Sequence, residues 1–250
     1  PITLAFIACG LGFPIIVEFI RRIRPTHWSL HTRITLATTA LLLVVGPVVV
    51  LAFEWSNPAT LGPLDVWEKL QAAWFQGVTP RTAGFHTIDI AGQHDPTLSV
   101  QTGLMFIGAG PASTSGGIKV TTFAVLGFAM WSEVRGDQDV NVFQRRIPPA
   151  AIRQAMTMAL LAVGVVFWMA IALSAMSDFT ITHTLFESAS AFGTTGLTTG
   201  VTRELPDNGQ RLLMVVMLAG RVGPVTFVTA LALRERTRAY RFAEERPILG

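Results

Sequence analysis

Two stretches of this sequence carry the residue types that can hold a bare monovalent cation. One is "FESASAFGTTGLTTG", Phe186–Gly200; the other is "AWFQGVTPRTAGFHTID", Ala73–Asp89. A Gly/Thr hairpin offers backbone carbonyls, hydroxyls and positive-φ geometry without a fixed negative charge. Rings of such carbonyls can replace a cation's hydration shell. Catalytic chemistry is not suggested. His27, His31, His86, His94 and His183 show no H-x-x-x-H pairing, and no Ser/His/Asp set stands out. The single cysteine, Cys9, leaves no intrachain disulfide or Cys-based metal site, and it reads as a small buried hydrophobe.

The elements that must position these hairpins are apolar. Half of the residues are hydrophobic and 14% are charged, against about 25% charged in a soluble domain. That is the balance of a chain whose solvent is partly lipid, and a net charge of +3 says little about nucleic acid. A membrane helix needs roughly 20 mostly apolar residues. Candidate spans are Ile2–Ile20, Ile34–Phe53, a Gly/Ser-broken segment from about Ser99 to Met130, Ala151–Met176 and Leu212–Leu233. Val66–Gln76 and Thr182–Ala191 are too short to cross and suit re-entrant helices. The first run lacks a basic n-region and a small-residue cleavage site, so it is read as a span, not a signal peptide, of a chain that starts inside a longer protein.

The arginines set the orientation. Arg21, Arg22, Arg24 and Arg33 lie between the first two spans. Arg135, Arg145, Arg146 and Arg153 lie between the third and fourth. Arg234, Arg236, Arg238, Arg241 and Arg246 follow the last. With the re-entrant segments counted, all three groups fall on one side. Trp28, Trp55, Trp67 and Trp131 fall near helix ends, as an interfacial belt would, whereas Trp168, mid-span, suits packing.

A structural repeat emerges: span, short helix, Gly/Thr hairpin, span, occurring twice with little sequence identity. Non-helical backbone at membrane depth is tolerated where it lines a water-filled cavity or is buried in protein. The hairpins therefore face a pore, or else they are external turns that never enter the membrane.

At these residues the chain resembles the Trk/Ktr/HKT potassium transporter superfamily, specifically the membrane subunit of the bacterial Ktr or Trk type. "TPRTAGFHTIDI" is similar to the third-repeat filter, "ESASAFGTTGLTTGVT" to the fourth, and "MFIGAGPASTSGGIKVTTF" to a broken helix with an intramembrane gating loop. "LAGRVGPVTF" resembles the fourth-repeat inner helix, "GLGFP" the second-repeat inner helix and "AEERPILG" the cytoplasmic tail. The resemblance implies an all-α membrane fold of helix–re-entrant pore loop–helix repeats, of which this chain holds the C-terminal half. Residues 1–24 would be the last helix of repeat 2, 31–135 repeat 3, 136–150 a cytoplasmic link, 151–238 repeat 4 and 239–250 the tail. The implied function is potassium uptake across the plasma membrane, with no enzymatic activity.

The resemblance makes Thr82, Ala83, Gly84, Thr194, Thr195 and Gly196 filter residues. Glycine rather than serine at the filter position is associated in that family with preference for potassium over sodium. The gating loop would comprise Gly108, Gly110, Ser113, Thr114, Ser115, Gly116, Gly117 and Lys119. The glycines break the helix and the hydroxyls satisfy freed backbone groups. Lys119 either acts there or snorkels to the cytoplasmic interface. Arg221, flanked by apolar residues, is expected as a buried cation bonded to carbonyls of the Gly108–Gly117 loop and repelling ions when the gate is shut; the alternative is an interhelical contact. Arg81 is expected at the outer mouth or behind the filter, because a cation inside a cation filter would oppose conduction. Glu187 either anchors filter backbone, attracts cations or is a solvated interfacial carboxylate.

"GAGPAS", Gly108–Ser113, also matches a dinucleotide-binding turn, with Glu133 near the ribose position. A membrane flavin or nicotinamide oxidoreductase is thus a rival reading, and a secondary transporter built on broken helices is another. No covalent or redox cofactor is expected beyond the transported potassium ion. The Arg135–Arg153 segment suits anionic lipid or a docked partner. The resemblance implies a homodimer on a soluble nucleotide-binding regulatory subunit, in the lipid bilayer, without nucleic acid.

Overall fold

The computed structural model describes residues 2–21 and 28–232, with side chains to Val222. Arg22, Arg24, Leu233, the arginines from Arg234 to Arg246 and the expected tail lie outside them. The described elements are α1 (Ile2–Leu11), α2 (Phe13–Ile20), α3 (Leu30–Glu54), α4 (Val66–Val78), α5 (Asp95–Phe106), α6 (Val120–Arg135), β1 (Asn141–Val142), β2 (Arg145–Arg146), α7 (Pro149–Ala175), α8 (Ile181–Gly193), α9 (Val201–Glu204) and α10 (Asp207–Ala232).

The two longest apolar segments begin at strong start signals. Ser29 Oγ accepts from Thr32 N at 3.2 Å and opens α3. Pro149 occupies the first turn of α7, where its missing N–H leaves nothing unpaired. These helices, of 25 and 27 residues, are each about 40 Å long at 1.5 Å per residue, enough to cross a hydrocarbon core of about 30 Å. Both bury only a minority of their apolar windows inside the protein. Leu41, Val44, Leu160 and Phe167 point outward, as lipid-facing side chains do. Trp168 is 70% exposed, so it belongs to that outer face and not to packing, which corrects the sequence expectation. Cys9 is likewise exposed instead of buried.

The first expected span is broken. α1 and α2 meet at 97°, with Gly12 at φ 90° in the bend. Here the structure departs from a straight Ile2–Ile20 helix, and the cause is tertiary. Gly110 N donates to Gly10 O at 2.8 Å and Phe13 N to Ala112 O at 3.3 Å, so a loop about 100 residues further along the chain completes the backbone bonds freed by the bend.

The re-entrant helices sit against the spanning ones. α4 packs on α3 and α8 on α7. Gly46 and Gly77 let α3 and α4 touch backbone to backbone: a Cβ at Gly46 would overlap Gly77 O. The two units share a core in which Leu98 and Met105 of α5 meet Phe186 of α8, with Ile90 and Leu197. A second cluster joins α7, α8 and α10 through Val166, Leu173, Phe192 and Leu213. In the 136–150 link, β1 and β2 form a short antiparallel hairpin tied by Arg146 Nη2 to Asp139 Oδ1 at 2.8 Å, an element the sequence did not announce.

Candidate functional site

α4 and α8 each end in a Gly/Thr hairpin, and the two hairpins repeat one backbone pattern. Thr82 and Gly84 have φ 67° and 74°; Thr194 and Gly196 have φ 53° and 90°. Ala83 and Thr195 between them stay at negative φ. Positive φ at a Thr is uncommon and persists where surrounding structure enforces it. The hairpins lie side by side: a Cβ on Gly84 would come within 2.5 Å of Thr195 O, and one on Gly196 would sit 3.7 Å from Gly84 Cα. The expected filter residues of both units are thus adjacent in space.

Hydroxyls from the helix ends hold the far limbs. Thr79 Oγ1 donates to Phe85 O, and Ser190 Oγ donates to Leu197 O at 2.6 Å. Glu187 is 3% exposed. Its Oε1 accepts from Thr198 Oγ1 at 2.6 Å, Thr199 N at 2.8 Å and Thr199 Oγ1 at 3.2 Å; its Oε2 accepts from Thr202 Oγ1 at 2.6 Å. Of the roles open to it, this geometry gives the backbone anchor.

Sequence reasoning missed a second buried carboxylate, on the third unit. Glu54, fully buried at the end of α3, accepts from Asn57 Nδ2 (2.6 Å), Thr60 Oγ1 (2.7 Å), His94 N (2.9 Å) and Thr97 Oγ1 (2.5 Å). It ties α3 to the start of α5 and to the loops between. An acidic residue ending an apolar run was the signal available.

The segment between α5 and α6 is a loop wedged beneath the hairpins. Ile107 and Ile118 form a parallel bridge, closed by Gly108 N to Ile118 O at 2.8 Å and Ile118 N to Phe106 O at 3.2 Å. Inside the loop, Ala109 N donates to Ser115 Oγ and the Ser113 and Ser115 hydroxyls pair, both at 2.9 Å. Gly116 N donates to Thr194 Oγ1 at 3.0 Å, joining the loop directly to the fourth hairpin. Gly117 N donates to Gly220 O of α10 at 3.3 Å.

Two cations hold the loop's tip. Lys119 Nζ donates to Ser115 O at 2.6 Å, so its ammonium turns inward to the loop and does not snorkel. Arg221 Nη1 donates to Thr114 O. Arg221 is exposed, however, where the sequence suggested a buried cation, because it leaves the surface of α10 to reach a loop residue that is itself exposed. Arg81 is 6% exposed and lies behind the third hairpin, against α1 and α3, not at an outer mouth.

The rival reading of "GAGPAS" loses its context here. Gly108–Ser113 follows helix α5, not a strand, and among the described residues the only strands are β1 and β2, so the turn belongs to no βαβ unit.

Residues 1–238 match the protein family described as "TrkH: Cation transport protein". The chain is 39% identical over 236 residues to the Ktr system potassium uptake protein B of Bacillus subtilis (strain 168), covering 94% of this chain and 53% of that protein. It is 37% identical over 239 residues to the Ktr system potassium uptake protein B of Vibrio alginolyticus, covering 93% of this chain and 51% of that protein. The crystal structure of the potassium transporter TrkH from Vibrio parahaemolyticus matches with TM-score 0.67 at 19% identity, covering 92% of this chain and 50% of that one. The chain thus spans about half the length of the curated relatives it matches, and the structural likeness shows the fold.

Proposed function

This chain belongs to the TrkH family of cation transport proteins, and from that premise we propose that it forms half of a potassium uptake pore. It is an integral protein of the plasma membrane, helical, with helix–re-entrant loop–helix units. The observation that carries the reading is the pairing of the two hairpins, with Gly84 against Thr195 O and the same alternation of φ sign in each. Carbonyls of Thr82, Ala83 and Gly84 and of Thr194, Thr195 and Gly196 would line the ion path in place of water. The helices α4 and α8 run C-terminal end first into these hairpins and add a favourable partial charge for a cation. The loop from Gly108 to Lys119 is the gate, with Arg221 on Thr114 O as its latch and as a barrier charge when shut.

Names of the relatives support potassium as the ion. They also describe components of a system, which supports a further subunit as partner; in this reading that partner is a soluble nucleotide-binding regulatory subunit on the cytoplasmic face, and the membrane protein is a homodimer. No cofactor and no enzymatic step enter this reading; potassium is cargo.

The test uses the full-length protein in cells lacking their own potassium uptake, with the regulator co-expressed. Growth at limiting potassium is expected, and Gly196→Ser should weaken it or make it sodium-sensitive. Protein present in the membrane without rescue in any ionic condition would overturn the reading.

A further inference from the structure

Arg81 is 6% exposed, and no protein atom among the described residues accepts a hydrogen bond from its Nη1. A guanidinium withdrawn from bulk water needs an acceptor, since leaving it unpaired is costly. Thr39 on α3 shares the deficit. It is 7% exposed and its Oγ1 has no protein partner. One turn earlier, Thr35 Oγ1 donates to His31 O at 2.8 Å, the usual bond of a helical threonine. Thr39 makes no such bond, so its hydroxyl is free for something else.

Both residues line one cavity of about 10 Å³. Its other walls include Phe6, Ile7 and Gly10 of α1 and Ala109 of the proposed gate. A space of that size takes about one water molecule and nothing larger. Its walls are mostly apolar, and Arg81 and Thr39 supply two polar side chains, the minimum number of partners a held water needs.

We propose that Arg81 and Thr39 hold a single structural water, and that this water fixes the third hairpin against α1, α3 and the back of the gating loop. Arg81 Nη1 donates to the water oxygen, and the water donates to Thr39 Oγ1. Arg81 immediately precedes Thr82, Ala83 and Gly84, so its anchorage sets where their carbonyls stand. Arg81 is then a positioning residue, with its charge directed away from the ion path. The wall shared with Gly10 and Ala109 places the joint where the helix bend, the filter and the gate meet. The consequence for ion selection rests on the pore reading above; the water does not.

The test therefore has two arms on the full-length protein. The first is an experimental density map that resolves ordered waters, expected to show one within hydrogen-bond distance of Arg81 Nη1 and Thr39 Oγ1. The second is the potassium-over-sodium uptake ratio of Thr39→Val and Thr39→Ser. Thr39→Val, which keeps shape and loses the hydroxyl, should lower the ratio about fivefold, the equivalent of one buried hydrogen bond. Thr39→Ser, which keeps the hydroxyl, should retain it. If Thr39→Val does not reach the membrane, Thr39→Ala read against Thr39→Ser answers the same question. A cavity closed by side chains with no water density overturns the proposal, as does a hydroxyl-free variant with the wild-type ratio or a serine variant that loses it. A wild type that takes up no potassium, yet shows the water, sinks the pore reading alone.

Discussion

A methyl group added at Gly84 and one added at Gly196 meet different surroundings. Both backbones hold positive φ, which costs a non-glycine residue about 1–3 kcal/mol. At Gly84 the new Cβ would also lie 2.5 Å from Thr195 O, a backbone atom of the opposite hairpin that cannot swing away. At Gly196 it would meet only Gly84 Cα at 3.7 Å, an ordinary contact. Gly84→Ala should therefore abolish uptake at limiting potassium, while Gly196→Ala should retain part of it with reduced discrimination against sodium. Comparable uptake by the two variants at equal membrane abundance would contradict the side-by-side arrangement. Glu187 gives a second prediction at this scale. Glu187→Ala leaves three threonine hydroxyls and one backbone N–H without their shared acceptor. The loss should be on the order of 3 kcal/mol, read as a lower melting temperature in detergent. An unchanged melting temperature would mean that the limb after the filter is held by other contacts.

The bend between α1 and α2 and the proposed gate are one joint at the scale of elements. A Cβ at Gly12 would overlap Pro111 O, and its φ of 90° excludes other residues on its own account. Gly12→Ala must either straighten the bend or displace Pro111 and Ala112, and in both cases the loop loses the bonds at Gly10 and Phe13. The expected result is higher basal rubidium or potassium flux in proteoliposomes without the regulator; flux equal to wild type would show that the bend does not seat the loop. This joint also marks what sequence could convey. The spanning helices were legible because length and apolar content alone specify α3 and α7. The short helices and the Gly/Ser break were legible because Gly, Pro and Ser interrupt apolar runs at fixed places. The 97° bend was not read, although Gly10, Gly12 and Pro14 interrupt that run as well, because the bonds that hold the bend come from residues 110–112. Glu54 escaped for the same reason: its partners at 57, 60, 94 and 97 come together only in the fold. Arg221 was legible as a charge among apolar residues, but its exposure depends on which face of α10 turns outward.

Among the described residues the two hairpins lie against each other on one flank, and the other flank is open. A cavity of about 370 Å³ beside the fourth hairpin is lined by Thr194, Gly196 and Thr198 together with Leu213 and Met217 of α10. Met217 and its neighbours Met214 and Leu218 are exposed along the same helix. Exposed apolar surface beside a carbonyl-rich hairpin is the face another helical unit would cover. A closed ring of carbonyls needs more than two facing segments, since an ion held from one side only keeps part of its water. The relatives are about twice as long as this chain, which leaves room for two more such units in each. Expressed alone, residues 1–250 should insert into the membrane yet give no potassium-dependent growth. Co-expression with the remainder of the full-length protein should restore it, provided the two parts co-purify. Rescue by residues 1–250 alone would require their own copies to complete the ring, and a cross-linked dimer through Met217→Cys would then be found at the open flank. Growth only with both halves, and no Met217→Cys dimer, would place the missing carbonyls on the other half of the molecule.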